Sequence, residues 1–386
     1  MPSCPLDIIE RHLDQIPHDH PAASLPTVLA QIHDPRKKQG IRHQLIDVLM
    51  ICVCAVIAGA KGFQAICDWP HIHRDTLDWL PARLPSIHTI RRLLGIIDPD
   101  QLDTILGCWT IDTLHTNTTT TPRAKRPEPV VVAIDGKEVR GAKNAGQPKV
   151  HLLAGLTHRE QAVIGQVSVG AKTNEIPCVK DLLHQIDSHH RISGMVVTLD
   201  ALHTQTATAK LIDTLGGVYV LTVKANQPHL YQACKDLPWT QIHPDMSRDR
   251  GHGRRVTRSL RLLQAPATIG FPHALWVAKI RRTRTIKGET GWEEVFVITN
   301  HLHPTYRQLS TWVQRHWSIE NELHWERDVV WGEDKSQVRT GTRPRVMASL
   351  RNLAITRLGF AGVDNMQRTL TYLWANPVVT SKLVGL

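Results

Sequence analysis

The chain has 386 residues, enough for two or three compact units with full apolar cores. Lys and Arg outnumber Asp and Glu by 46 to 35, for a formal net charge of +11, and 23 His add to it in mild acid, so a polyanionic partner is favoured. The seven Cys are scattered, odd in number and without a CxxC pair, which argues against a disulfide framework and a zinc ribbon and for a reducing cytosol.

Residues 1–33 are polar and His-rich and are expected to form a loosely attached segment. Asp7 stands where an export signal would carry a basic and then an apolar run. Residues 34–115 read as a helical domain. Its most apolar stretch, LIDVLMICVCAVIAGA (45–60), contains Asp47 and falls short of the roughly 20 apolar residues of a membrane span, so it is expected as a buried helix. FQAICDW follows. LPSIHTIRRLLGIID then places Pro85 and Ser86 before a helix whose Ile90, Leu93, Leu94 and Ile97 share one face, with Arg91 and Arg92 on the other. Such a short basic helix suits a DNA groove as well as it suits plain solvent. Residues 116–129, TNTTTTPRAKRPEP, with four consecutive Thr and three Pro, cannot bury a core and read as a linker.

From Val130 the texture becomes that of strands. PVVVAID, HLLAGLT and AVIGQVSV are followed by a helix over IPCVKDLLHQID, the strand GMVVTLD, a helix over HTQTATAKLIDTL and the strand GVYVLTVK. This β-β-β-α-β-α-β order, over 130–226, describes an α/β fold: a ribonuclease H-like mixed sheet flanked by helices. Two of the strands end on a carboxylate, Asp135 before Gly136 and Asp200 before ALHTQ. A strand-end Asp points into the crevice where open sheets bind ligands, and a glycine beside it lets a substrate backbone come close. One such Asp alone is more often a turn or cap; its repetition marks a candidate site.

Residues 227–300 change character again. HGRRVTRSLRLL, ALWVAKIRRTRT and EEVFVITN read as strands, the first two rich in Arg, and form a β-rich insertion before the helix that carries Glu320. Its strands suit contact with a DNA backbone, and a solvated Arg-bearing sheet face is the plainer reading. Residues 301–386 complete the core. There YRQLSTWVQRHWSIENELHWERD reads as one helix, with Leu309, Val313, Trp317 and Leu323 at helical spacing. His316, His324 and Arg327 stand four before, four after and seven after Glu320, on one stripe, so Glu320 is either half of a structural ion pair or a metal ligand. The His316, Glu320, His324 order is not the HExxH pattern of zinc hydrolases. Two strand-end aspartates with a helix-borne glutamate instead suit hard oxygen-seeking ions such as Mg²⁺, two of which, about 3.5–4 Å apart, can clamp the attacking and leaving oxygens of a phosphodiester.

In AIDGKEVRGAK, KTNEI, TLDALHTQ, VKANQP, HGRRVTR, HWSIENELHWERDV and GED, the chain resembles the DDE transposases of bacterial insertion sequences, close to the H-repeat-associated proteins, from about Asp34 to Arg351. The resemblance implies that Asp135, Asp200 and Glu320 are the catalytic acids and hold Mg²⁺ or Mn²⁺. Water and then a DNA 3′-hydroxyl are the nucleophiles in successive in-line displacements. It places Lys172, Asn174 and Lys224 near the site in DNA-contact or support roles, and the expected DNA-contact set is completed by Arg254, Arg255, Arg315, His316 and Arg327. The implied partners are insertion-sequence terminal repeats and target DNA, held by a homodimer in the bacterial cytoplasm at the nucleoid.

The broader group carries a Tyr, an Arg and a Lys at the positions here occupied by Val313, His316 and Arg327. Arg327 keeps the cation and His316 is expected to keep part of one, while the grip on the DNA end departs from the group's. Asp328, Glu333 and Asp334 compete with Glu320 as third ligand. A ribonuclease H-like nuclease without strand transfer and an inactive DNA-binding relic of a mobile element are the alternatives.

Overall fold

The computed structural model describes residues 4–15, 24–39, 41–119, 128–142, 150–170, 174–188, 191–251, 254–286 and 289–386. Six helices come first: α1 (Pro5–Gln15), α2 (Leu25–Leu29), α3 (Leu45–Ile57), α4 (Phe63–Ile72), α5 (Ile87–Leu93) and α6 (Pro99–Thr119). The expected β-β-β-α-β-α-β order follows as β1 (Val131–Glu138), β2 (His151–Thr157), β3 (Val163–Val169), α7 (Glu175–Ile186), β4 (Val196–Leu199), α8 (Thr206–Thr214) and β5 (Val218–Val223). After α9 (Pro228–Lys235) come β6 (Asp245–Gly251), β7 (Arg254–Gln264), β8 (Trp276–Ile286) and β9 (Glu289–Thr299), then α10 (Tyr306–His316), α11 (Arg343–Phe360), α12 (Met366–Ala375) and α13 (Pro377–Lys382). The chain divides into two compact units, the first of residues 1–128, 136–174 and 319–386, the second of residues 129–135 and 175–318.

The first unit is built round α3, in which every residue but Ile46 and Asp47 is buried. Burial pushes the Cys52 thiol up to about 12, so it behaves as a small apolar side chain. Among the described residues no helix is long and apolar enough to cross a membrane. In α5 the Ser86 hydroxyl accepts from the Thr89 N–H at 3.3 Å as a helix N-cap, Ile90 and Leu93 are buried and Arg91 and Arg92 exposed; the helix stops at Leu93, sooner than the spacing implied, and Leu94 and Ile97 are buried beyond it. The loosely attached N-terminal segment is corrected: Ile9, Leu25 and Leu29 are buried, and α1 packs on α12 and α13. The Thr run is also partly helical, because α6 continues to Thr119; residues 120–127 of the linker lie outside the described residues.

α11 lies against α3, α6 and β3 and carries a polar network into this unit's core. Asp103 of α6 takes Arg345 Nη2 at 2.9 Å and Gln166 Nε2 at 3.1 Å, and Asn352 donates to Gln166 Oε1 at 2.8 Å. Buried charges of this kind persist only when paired and hydrogen-bonded. The end of β1 in this unit continues the strand order β3-β2-β1, with β2 and β3 antiparallel.

In the second unit the order is β1-β4-β5-β9-β8-β7-β6. β1, β4 and β5 run parallel to one another, and β9 returns antiparallel on β5. This is the mixed sheet of a ribonuclease H-like fold, and the basic strands of the expected insertion extend it. Val196, Val220, Leu260, Ala278 and Val297 form one apolar face, which Leu309 and Trp312 of α10 cover. At about 25 cal/mol per Å² of apolar surface removed from water, such burial is the main force holding α10 to the sheet. β6 was not legible: DMSRDRG has no alternating apolar pattern, and the ladder to β7 alone makes it a strand.

Candidate active site

β1 and β4 pair in parallel register as Val131 with Val196 through Ile134 with Leu199. Asp135 and Asp200 are the next residue on each strand, so two carboxylates leave adjacent strands at one level, where strands lie about 4.8 Å apart. Both are half-buried. Asp200 caps a short 3₁₀ turn, Ala201–His203, its Oδ1 accepting from the backbone N–H of Leu202 at 3.0 Å and of His203 at 3.3 Å. Those bonds fix the carboxylate and leave Oδ2 for another ligand.

The loops around Asp200 are knitted by residues that sequence reasoning did not single out. His203 is buried, with Nε2 3.1 Å from Glu175 Oε2 at the start of α7. Asn226 Nδ2 donates to the Ala201 carbonyl at 2.7 Å, Gln227 Nε2 to the Thr204 carbonyl at 3.0 Å, and the Thr204 hydroxyl to the Thr222 carbonyl at 2.5 Å. Glu175 of KTNEI thus meets TLDALHTQ, and VKANQP meets it in turn, around the turn that follows β4. Their recurrence beside apolar strands was the available signal, but which residue would touch which was not encoded in spacing.

The single helix expected through Glu320 is corrected. α10 stops at His316 with Trp317 as its C-cap, and the chain continues as two π-helical stretches, Ile319–His324 and Glu326–Val330. The wider π turn dissolves the four-residue stripe; such turns are rare and cluster at functional sites. His316 belongs to the second unit, where its Nδ1 lies 3.0 Å from the Thr198 hydroxyl. Burial pushes its imidazole down to about 4 against the pull of Asp200, so it is neutral at pH 7 and supplies no cation. Glu320 belongs to the first unit, is exposed, and has no ion pair among the described residues.

Arg327 is corrected as a phosphate contact. It is 0% exposed, and its guanidinium is spent on Glu333, with Nε–Oε2 3.0 Å and Nη2–Oε2 2.7 Å. Arg351 Nη1 holds the other Glu333 oxygen at 2.9 Å. Of the rival third ligands, Glu333 is therefore committed to the core, and Asp328 is paired with Lys137 at 2.5 Å. Gly141 packs so closely on the Glu333 carbonyl that a Cβ would overlap it, which ties the AIDGKEVRGAK and GED motifs together. Glu326, beside Glu322, is raised to about 7, chiefly by burial. Lys137, Glu175, His203 and Arg351 were not singled out from residue patterns, and Glu333, ranked there as a rival metal ligand, is instead the counter-charge of two buried arginines.

Of the remaining expected contacts, Lys224 is exposed just beyond β5, Asn174 and Arg315 are exposed, and Arg255 is exposed on β7. Arg254 lies in β7 with its side chain outside the described residues, and Lys172 lies outside them altogether.

Comparison with known proteins identifies the family. A model described as "Transposase DDE domain" matches residues 126–357, and one described as "DDE_Tnp_1-associated" matches residues 27–110. YhhI of Escherichia coli (strain K12), an H repeat-associated candidate transposase by name, is 28% identical over 346 residues, covering 85% of this chain and 88% of its own. YncI of Escherichia coli O157:H7, also a candidate transposase by name, is 28% identical over 358 residues, covering 87% of each. YbfD of Escherichia coli (strain K12), another H repeat-associated candidate transposase, is 30% identical over 238 residues, covering 59% of this chain and 88% of its own. With the match to the DDE domain spanning more than half its length, the chain belongs to the transposase DDE domain family.

Proposed function

We propose that the chain is a DNA transposase that cleaves insertion-sequence ends and joins them to target DNA, with Asp135, Asp200 and Glu320 as its catalytic acids. The observation that carries the reading is the shared level of Asp135 and Asp200 on adjacent parallel strands, within the segment matched by the transposase domain. The two aspartates suit a hard divalent cation: Asp200 Oδ1 is used by two backbone N–H groups while Oδ2 is not, and both are partly accessible. Mg²⁺ or Mn²⁺, when bound, would stabilise the charge developing on the attacking and leaving oxygens of the phosphodiester.

The chain's own contribution is positioning and charge. The caps on Asp200 and the Glu175–His203 contact hold the strand-end loop in one conformation, so little reorganisation is needed at the moment of reaction. Lys224, exposed beyond β5, is assigned to a DNA phosphate. No side chain serves as covalent nucleophile: water hydrolyses the phosphodiester and frees a 3′-hydroxyl, which attacks the second phosphodiester and expels its 3′-oxygen. Work on two transposon ends calls for a homodimer on DNA.

The test is strand cleavage and joining on labelled duplex carrying the element's own ends, with Mg²⁺ or Mn²⁺. Metal-dependent nicks and joined products support the reading. Hydrolysis alone replaces it with a nuclease, and binding without cleavage replaces it with a relic. A finer expectation concerns His203→Ala, which frees the loop that caps Asp200. Cleavage should fall about 10–100-fold, the usual effect of removing a partner that orients a ligand. The metal concentration for half-maximal rate should rise, DNA affinity should stay unchanged, and His203→Gln should restore part of the rate. An unaltered metal dependence would remove His203 from this role.

A further inference from the structure

The outer parts of β6 to β9 form an antiparallel ribbon whose two faces differ in charge. Alternation sends successive residues to opposite faces, and the register identifies which residues share one. On one face Ser247, Arg258, Arg282 and Glu293 lie in a row across the four strands, with Asp249, Val256, Arg284 and Gly291 in the next. Here the arginines are largely neutralised: Arg258 pairs with Asp249, and Arg282 Nη2 with Glu293 Oε2 at 2.9 Å. Arg284 is the exception among the described side chains. Further in, this same face carries Leu260 and Ile280, which pack under α10.

The opposite face has the rows Arg250, Arg255, Thr285, Thr290, then Arg248, Thr257, Thr283, Trp292, then Met246, Ser259, Arg281, Glu294. Arg248, Arg250, Arg255 and Arg281 are exposed and form no ion pair among the described residues. The carboxylate in these rows, Glu294, is taken by Lys279 at 3.0 Å. Trp292 is 62% exposed, and the Arg281 guanidinium sits over its ring, 4.5 Å from the centroid. An exposed tryptophan adds no burial energy. It does hold the long Arg281 side chain in one place, by drawing the guanidinium over the face of its ring. Between the guanidinium groups stand Thr257, Thr283, Thr285 and Thr290, whose hydroxyls can bond to phosphate oxygens.

We infer that this second face, and not the ion-paired one, docks the sugar-phosphate backbone of duplex DNA, with Trp292 positioning Arg281 for a phosphate. The inference rests on the transposase reading and assigns the DNA-facing side of the ribbon. Unpaired guanidinium groups spaced by single strands, with hydroxyls between them, complement a regular row of phosphates. The opposite face presents paired charge, which offers a polyanion little.

The test is the salt dependence of duplex binding by the full chain, read from the anisotropy of a labelled duplex. Arg248→Gln with Arg255→Gln is compared with Arg282→Gln with Arg284→Gln, so that each variant loses two cations. The first pair should flatten the slope of log affinity against log salt by about 0.9 per lost phosphate contact; the second should leave it near that of the unaltered chain. Matched melting curves by circular dichroism confirm that both fold. Equal slopes in the two variants, or tighter binding to single strands than to duplex, would overturn the face assignment alone. An unaltered chain that binds no DNA would overturn the transposase reading as well. Trp292→Ala should weaken binding as much as Arg281→Gln, and the double variant no more than either. Loss beyond that in the double variant would mean that Trp292 touches DNA itself, and would overturn its positioning role.

Discussion

Asp135→Asn, Asp200→Asn and Glu320→Gln should each abolish strand cleavage and joining while leaving duplex binding intact. Each substitution keeps the shape of the side chain and removes its charge. The loss should be on the order of 10³-fold, taking the removal of one preorganised electrostatic group as the guide. The readout is nicked and joined product from labelled ends, with binding measured in parallel. For Asp135 and Asp200 the expectation grows from their shared level just past the paired register of β1 and β4. For Glu320 it grows from the HWSIEN match and from its exposure: Glu333 is committed to two arginines and Asp328 is bonded to Lys137, while Asp334, 4.0 Å from Arg140, stands as the remaining rival. Full activity in Glu320→Gln, with inactive Asp135→Asn and Asp200→Asn, would move the third ligand elsewhere and leave the aspartate pair standing.

The second large effect is on stability. Glu333→Gln should destabilise the fold by about 3–5 kcal/mol, because it leaves two fully buried guanidinium groups, Arg327 and Arg351, without their counter-charge. Denaturant unfolding measures it, and a loss below about 1 kcal/mol would place this network among the ordinary surface pairs. The pH dependence separates the contributors. Burial alone would raise the Glu333 carboxyl, but Arg327 and Arg351 outweigh it and hold the pKa below its ordinary 4.5. A carboxyl depressed in the folded state contributes stability that is complete above 4.5 and is lost as pH falls through the folded value.

The buried imidazoles act in a higher window. His316 is pushed down to about 4 and His324 to about 3, both mainly by burial, from 6.5, so the native state begins to lose stability below 6.5 as the unfolded chain takes up protons there. Glu333→Gln should therefore make the loss of stability below 4.5 shallower and leave in place the loss that starts below 6.5, which runs on through the folded values of His316 and His324.

Some of this was legible in residues alone because it depends on local patterns. The order of elements from β1 to β5 follows from apolar runs and turn residues. The buried helix α3 follows from a stretch too apolar for a surface and too short for a membrane. Ser86 marks the start of α5. The two candidate aspartates stand out because both close an apolar strand. Each feature is encoded within a window of about 20 residues, where period and composition act directly.

What the tertiary structure decided concerns partners distant in the chain. Arg327 and Glu320 looked alike as polar positions of one helix. Three-dimensional packing buries Arg327 on Glu333 and Arg351 and leaves Glu320 in solvent, because a helix stripe is not a burial pattern once π turns widen the period. His316 looked like a cation until desolvation made it neutral. β6 has no strand signature and exists because β7 offers it a ladder. The arginines of the ribbon were visible as a basic composition, but only the pairing register sorts them into a neutralised face and a cationic one. Residue types alone fix which positions carry charge and where the apolar runs of β1 and β4 give way to a carboxylate, although β1 itself runs on to Glu138. The tertiary structure decided which of those charges are already spent, since the free energy of a charge depends on the partners and the water around it.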